Sequence, residues 1–303
     1  MTSHVNLAII AIAIVIPLTS FAVYASDSKI LQDNNDSKLH VITSFYPLYE
    51  FAKEVGQEKA NVTLLVPIGV EPHDWEPTIQ DVQRMQNADL IVINGLGFES
   101  WVEHLSEINF HGNIIDTSTG IIKNNNLSSI EKKQEHSSND PHIWLNPVMA
   151  KIQVQNIADA FSNHDPENKE SYQQNAQAYK DELDLLDLKI RNDLSECRHD
   201  FIAFHEAFSY FSDEYGLNQH TIISSSPHAE PTARTLEELI NTAKEFNLKI
   251  IFTEETADPR TAQIISDEIN GKILVLSPIE IGNDKNYISR MTENLNNLKE
   301  ALC

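Results

Sequence analysis

Three histidines sit in short motifs whose neighbours suit metal binding. His73 lies in Glu71-Pro72-His73-Asp74-Trp75-Glu76-Pro77, His142 in Asp140-Pro141-His142-Ile143-Trp144-Leu145-Asn146-Pro147, and His205 in Phe204-His205-Glu206-Ala207-Phe208. Neutral imidazole is a common ligand for a borderline cation such as zinc, and three imidazoles supply most of a tetrahedral shell. One histidine alone is more often an ordinary surface or core residue. Three at strand ends, two of them in proline-flanked motifs with adjacent acids, are a different observation. Prolines fix the backbone on either side and lower the cost of organising a site. Asp74, Asp140 and Glu206 are close enough in sequence to accept the second ring N–H and set the tautomer. His228, in Ser226-Pro227-His228-Ala229-Glu230-Pro231, is the next candidate but lacks this setting, and His136 stands in a polar stretch that reads as a solvated loop, Asn124 to Asn139.

The motifs are roughly 65 residues apart, so only a folded chain can bring three ligands to one ion. The elements that would do so alternate. Leu39–Ser44, Val62–Pro67, Leu90–Asn94 and Asn113–Asp116 are short β-branched runs suited to buried parallel strands, with helical stretches over Tyr46–Gly56, Thr78–Ala88 and Phe98–Ile108 between them. The second half repeats the scheme with strands at Phe201–Phe204, Thr221–Ser224, Lys249–Thr253 and Ile273–Leu276, and helices at Glu206–Tyr215, Thr235–Phe246, Pro259–Glu268 and Tyr287–Leu302. The expected fold is α/β, with two lobes, each a mostly parallel four-stranded sheet with flanking helices. Between the lobes, Glu167 to Glu196 is polar, lacks Gly and Pro, and places Tyr172, Ala176, Tyr179, Leu183, Leu186 and Ile190 at helical spacing. That predicts one long rigid helix; the apolar positions do not keep the heptad register of a dimeric coiled coil. The expected divisions are an N-terminal lobe over 38–150, a helical linker over 151–197 and a C-terminal lobe over 198–303. Ligands of α/β sheets bind beyond the carboxyl ends of the strands, where all three histidines fall. His73 and His142 would come from the first lobe and His205 from the second.

The formal net charge of −23, from 45 Asp and Glu against 22 Lys and Arg, opposes binding to nucleic acid or anionic lipid and attracts cations. Charge alone names no ligand. Leu7 to Phe21 is a nearly unbroken apolar run, and Val23-Tyr24-Ala25 offers small residues around a cleavable bond. No Lys or Arg precedes the run, and with Ala22 to Ala25 it approaches the length of a membrane span. A signal peptide over 1–25 and a retained N-terminal anchor both fit, followed by a tether over 26–37. Either places the rest of the chain outside the cytoplasm. Cys197 and Cys303 lie far from the signal's end, so neither offers a lipid-modified anchor there. In an exported protein they could form one disulfide, restricting the unfolded state by about 4–5 kcal/mol in the chain-entropy model, or remain free thiols.

Taken with Val41-Ile42-Thr43-Ser44-Phe45-Tyr46-Pro47, Gly95-Leu96-Gly97-Phe98-Glu99 before Trp101, the run through Phe208-Ser209-Tyr210, and Glu230-Pro231-Thr232-Ala233-Arg234, the three motifs resemble a known family. It is the cluster A-I (ZnuA/TroA-like) substrate-binding proteins of ABC transporters for zinc and manganese. The resemblance covers nearly all of the chain after the tether. It implies two lobes joined by one long helix, a metal in the cleft between them, an ABC permease membrane subunit as partner, and a monomer. It assigns His73, His142 and His205 as ligands. Manganese-type members commonly carry Glu at the position of His205, so a third imidazole points to Zn2+ as the transported ligand. The family's fourth ligand is Asp in a Leu-Asp-Pro sequence, which here reads Leu276-Ser277-Pro278-Ile279-Glu280. Either Glu280 swings in to restore a carboxylate or water fills the fourth position.

Two other functions fit the same residues. A zinc hydrolase could use three histidines and a bound water, with Glu206 or Glu280 as general base. The chain has no His-Glu-x-x-His or Gly-x-Ser-x-Gly motif, which argues against an enzyme. A metal-binding surface adhesin also fits an exported chain. Gly95-Leu96-Gly97 lacks the third glycine of a dinucleotide loop.

Overall fold

The computed structural model describes residues 38–107, 110–121, 140–223 and 231–303. The signal or anchor, the tether, His136 and His228 lie outside the described residues.

Eight short strands form two separate parallel sheets. The first uses β1 (Leu39–Thr43), β2 (Ala60–Leu64), β3 (Leu90–Ile93) and β4 (Asn113–Asp116) in the order β2-β1-β3-β4. The second uses β5 (Asp200–His205), β6 (Asn218–Ile223), β7 (Ile250–Thr253) and β8 (Lys272–Val275) in the order β6-β5-β7-β8. The two orders are the same. In each sheet the first strand in sequence pairs on both sides, so the crevice where strand order reverses opens beyond the carboxyl ends of β1 and β3, and of β5 and β7. β3 is buried at every position, as a central strand covered on both faces requires.

Between the strands run α1 (Tyr46–Gly56), α2 (Ile79–Gln86), α5 (Ser209–Tyr215), α6 (Ala233–Glu245) and α7 (Pro259–Ile269), and α8 (Tyr287–Leu302) closes the chain. The lobes are joined through α3 (Pro147–His164) and α4 (Lys169–Leu194), the latter the expected long helix at 26 residues. Asp165 and a short turn over Pro166–Asn168 separate the two helices. Gln155 bonds Gln173 at 3.0 Å and Lys180 at 2.6 Å, and Lys151 pairs with Asp184, so α3 and α4 lie antiparallel. The strut is therefore a helical hairpin. The buried stripe of α4 is Tyr172, Ala176, Tyr179, Leu183, Leu186, Ile190 and Leu194, extending the apolar spacing read in sequence by one turn. Both lobes and the hairpin belong to one compact unit, Leu39–Cys303.

Three local differences have physical causes. β2 ends at Leu64, yet Leu65 and Val66 still donate their N–H groups to the Thr43 and Ser44 carbonyls at 2.9 and 3.0 Å, which keeps the apolar run buried past the strand. β6 begins at Asn218, because an edge strand tolerates the polar triplet Asn218-Gln219-His220. Ser100–Glu107 is a 3-10 helix rather than an α-helix. It follows a tight turn in which Leu96 joins Gly95 and Gly97 in the left-handed region.

Cys197 and Cys303 form a disulfide across 106 residues, tying the end of α4 to the end of α8. Among the described residues, no helix is long and apolar enough to cross a membrane.

Candidate metal centre

His73 stands in the loop between β2 and α2. Its backbone N–H donates to the Glu71 carboxylate at 3.3 Å, and Trp75 N–H closes a turn onto the Pro72 carbonyl at 3.3 Å. The loop's exit is fixed by Thr78, whose hydroxyl and backbone exchange hydrogen bonds with Asp81 in a capping box at the start of α2. The Phe98 ring meets the imidazole edge-on, with centroids 4.9 Å apart. Phe98 is set by the turn after β3, where buried Glu99 accepts from the Ser44 hydroxyl at 2.6 Å and from the Asn94 and Gly95 N–H groups at 2.7 and 3.2 Å.

His142 precedes the short turn Ile143–Leu145 that leads into α3, whose first amides are capped by the Asn146 side chain. Asp140 Oδ1 accepts from both the His142 backbone N–H at 3.0 Å and the ring Nδ1–H at 2.8 Å. An ionised carboxylate only accepts, so Nδ1 carries the proton and Nε2 is left facing inward.

His205 ends β5 and uses the same device. Glu254 Oε1 accepts from its backbone N–H at 3.2 Å and from Nδ1–H at 2.6 Å. Sequence proximity pointed to Glu206 as this partner. That expectation is corrected: Glu206 is exposed, and the partner comes from the residue just after β7, the neighbouring strand. Its place one step beyond a strand end, beside another strand end, was the signal available in sequence. Asp140 holds His142 as expected, and Asp74 is exposed.

Glu280 arrives from the segment between β8 and α8 and is 3 % exposed. Its Oε1 lies 3.1 Å from His73 Nε2, 3.4 Å from His142 Nε2 and 3.8 Å from His205 Nε2. His142 Nε2 lies 3.4 Å from His73 Nε2 and 3.2 Å from His205 Nε2. All four atoms fall within 4.8 Å of one another. A tetrahedron with zinc–donor bonds of about 2.0–2.1 Å has edges of about 3.3–3.4 Å. Three nitrogens and one oxygen thus stand at about the spacing of a tetrahedral shell. Ser277, at the family's Asp position, instead accepts from the Arg290 guanidinium at 2.7 Å and from the Ile279 N–H at 3.1 Å.

The charges of the site fit a cation. Burial alone would lower the His142 pKa, but hydrogen bonds and attraction from Asp140 and Glu280 outweigh it and push His142 up to about 9. Burial alone would raise Glu280, yet His142, His73 and His205 hold its carboxyl well below the usual carboxylate range. Glu71, half-sheltered nearby, is pushed up to about 7 by burial and then by the Glu280 charge. Lone pairs packed this closely repel unless a proton or a metal ion lies among them.

The sequence model of the family described as zinc-uptake complex component A, periplasmic (ZnuA), matches residues 41–301. This chain belongs to the ZnuA family. The high-affinity zinc uptake system protein ZnuA of Bacillus subtilis is 38% identical over 295 residues, 91% of this chain and 92% of that protein. The zinc-binding lipoprotein AdcA of Streptococcus pneumoniae is 36% identical over 286 residues, but this chain spans only 57% of its length. The Zn(II)-bound ZnuA-like domain of that AdcA superposes with a TM-score of 0.75 at 36% identity, over 87% of this chain and 98% of the domain. The laminin-binding protein Lmb of Streptococcus agalactiae, described as having adhesin and metal-transporting activity, gives 0.78 at 32% identity, over 87% of this chain and 99% of Lmb. The ZnuA-family fold is thus the frame in which His73, His142, His205 and Glu280 meet.

Proposed function

We propose that this protein is the extracytoplasmic substrate-binding component of an ABC transporter, capturing Zn2+ between its lobes and delivering it to a membrane permease. His73, His142, His205 and Glu280 are the proposed ligands. The observation that carries the reading is that five of the six donor separations run from 3.1 to 3.8 Å, close to the edges of a tetrahedral zinc shell, with all four donors within 4.8 Å of one another. Two imidazoles held by carboxylates through Nδ1 support it, because that arrangement turns Nε2 toward an ion. Three nitrogens with one carboxylate suit zinc better than the harder manganese. A shell completed by four protein donors resembles a closed zinc site, whereas hydrolytic zinc keeps a position for water. That argues against the hydrolase. The zinc-binding and zinc-uptake names of the ZnuA and AdcA relatives agree with the transport reading.

The apolar run of residues 7–21 is the export element, either a signal cleaved after Ala25 or a retained anchor. The first lobe then covers 38–150, the linker 151–197 and the second lobe 198–303, in a monomer. The test is zinc affinity of the exported form. His142→Ala weakens binding by orders of magnitude, measured by calorimetry or chelator competition; unchanged affinity in that variant removes the proposal. The likeness to Lmb favours a second role in surface attachment. Deletion that impairs attachment to laminin while leaving growth in limiting zinc unchanged would make adhesion the principal function.

A further inference from the structure

Glu280 reaches the imidazoles from a turn whose backbone needs outside support. Ile279, wholly buried and β-branched, sits at φ 61°, in the left-handed region that such residues avoid unless their surroundings hold them there. Arg290, Asn294 and Trp144 supply that support, and of these only Arg290 bonds the turn on both sides of Glu280. Arg290, in the first turn of α8 and 2 % exposed, donates Nη1–H to the Ile281 carbonyl and Nη2–H to the Ser277 hydroxyl at 2.7 Å. It therefore grips the turn on both sides of Glu280. The Ser277 hydroxyl accepts in turn from the Ile279 N–H at 3.1 Å, so Arg290 and the strained residue share one oxygen. The same Nη2 also donates to Glu255 Oε1 at 2.8 Å, which neutralises the guanidinium. Asn294, one turn further along α8, exchanges both amide groups with the Ser277 backbone at 2.8 and 2.6 Å. The Trp144 indole N–H donates to the Pro278 carbonyl at 2.8 Å, registering the turn on the segment that carries His142.

We infer that Arg290 is the positioning residue for the fourth ligand: by bridging Ser277 and Ile281 it holds the turn in the one conformation that aims Glu280 at the three imidazoles. A serine at position 277 is part of the device. It leaves Arg290 a neutral partner and passes the ligand role to the longer side chain three residues on. The inference rests on the ligand set proposed above. A buried guanidinium near a cation site would by charge alone oppose the metal, so a favourable effect of Arg290 has to come from geometry.

The test compares Glu280→Gln, Arg290→Met, Arg290→Lys, Ser277→Ala and the double variant Arg290→Met/Glu280→Gln, each checked by thermal melting. Zn2+ affinity is read by chelator competition, and coordination by the visible spectrum of the Co2+-loaded protein. Arg290→Met is expected to weaken zinc binding by about 10- to 100-fold and to move the Co2+ spectrum toward that of Glu280→Gln. Arg290→Lys keeps the charge but cannot bridge both ends, so it also weakens binding. In the Glu280→Gln background, Arg290→Met causes no further loss, because its favourable route to the metal is gone and removing its charge alone would not weaken binding. Ser277→Ala, a small change that keeps the buried charge and serves if Arg290→Met fails to fold, shows the same dependence on Glu280 with a smaller loss. Equal losses from Arg290→Met and Ser277→Ala with and without Glu280, or wild-type affinity in Arg290→Lys, would overturn the inference. Unchanged affinity in Glu280→Gln would instead remove Glu280 from the ligand set, a separate failure.

Discussion

Glu254 and His205 stand 49 residues apart in sequence, yet one carboxylate oxygen of Glu254 accepts both the His205 ring N–H at 2.6 Å and its backbone N–H at 3.2 Å. The pair joins adjacent strand ends into one rigid unit that fixes the ring's tautomer. Glu254→Ala should remove that control and leave a buried ring N–H without its acceptor. Zinc affinity should fall by about 10- to 100-fold. Glu254→Gln keeps an acceptor oxygen and should lose less. Chelator competition on both variants checks the order.

The pH response of the metal-free protein follows from the shifts at the site. The His142 pKa is raised to about 9, above an unfolded value near 6.5, so its contribution to stability is complete below about 6.5 and is lost as pH rises through about 9. Glu280 is depressed, so its contribution is present above the ordinary carboxylate range near 4.3 and is lost as acid protonates it. Metal-free protein should therefore melt highest between about pH 5 and 6.5 from this pair and weaken toward pH 9. Zinc must displace the His142 proton. Binding at pH 7 should release close to one proton, and affinity should rise with pH until about 9. Calorimetry in buffers of different ionisation heat counts the proton directly. A release of zero would contradict the protonated His142.

Most of the fold's scheme was legible because buried parallel strands leave unbroken β-branched runs such as Leu90–Ile93, and because the α4 stripe repeats at helical spacing. The three histidines could be found because each sits in a rigid local motif at a strand end or helix start. What escaped depends on neighbours across the sheet. Glu254 supports His205 through the β5–β7 adjacency, which no local spacing records, so the adjacent Glu206 drew the assignment instead. Glu280 was reachable only as an alternative to water, since its approach depends on the turn that Arg290 and Trp144 hold. The polar start of β6 and the 3-10 helix after Gly97 were missed for a related reason: edge pairing and a tight preceding turn outweigh local hydropathy there.

The disulfide offers a contrast between stability and binding. Cys197–Cys303 closes a loop of 106 residues, and its loss should destabilise the fold by about 4–5 kcal/mol in the chain-entropy model. The bond lies at the far end of α8 from the turn that carries Glu280, and that helix of 16 residues is about 24 Å long at 1.5 Å per residue. Cys303→Ser should therefore lower the denaturation midpoint while leaving zinc affinity within about twofold at temperatures where the protein stays folded. Urea unfolding and chelator competition on the same preparation separate the two effects.

Gly282 makes the opposite case, a small change expected to spare stability more than binding. A Cβ added there would lie 2.6 Å from Tyr46 Cδ2 and 3.3 Å from Ile68 Cγ1. The Tyr46 ring cannot easily retreat. It is 5 % exposed, its hydroxyl donates to the Lys285 carbonyl at 2.7 Å, and the Arg290 guanidinium lies over its face at 5.7 Å. The segment following Glu280 would have to move instead, drawing the carboxylate away from the imidazoles. Gly282→Ala should accordingly weaken zinc binding by about tenfold or more, approaching the loss caused by Glu280→Gln. Ile68→Ala, which opens space on the other side of the contact, should restore part of it. Wild-type affinity in Gly282→Ala would show that the turn tolerates displacement and that Glu280 follows the metal rather than waiting for it.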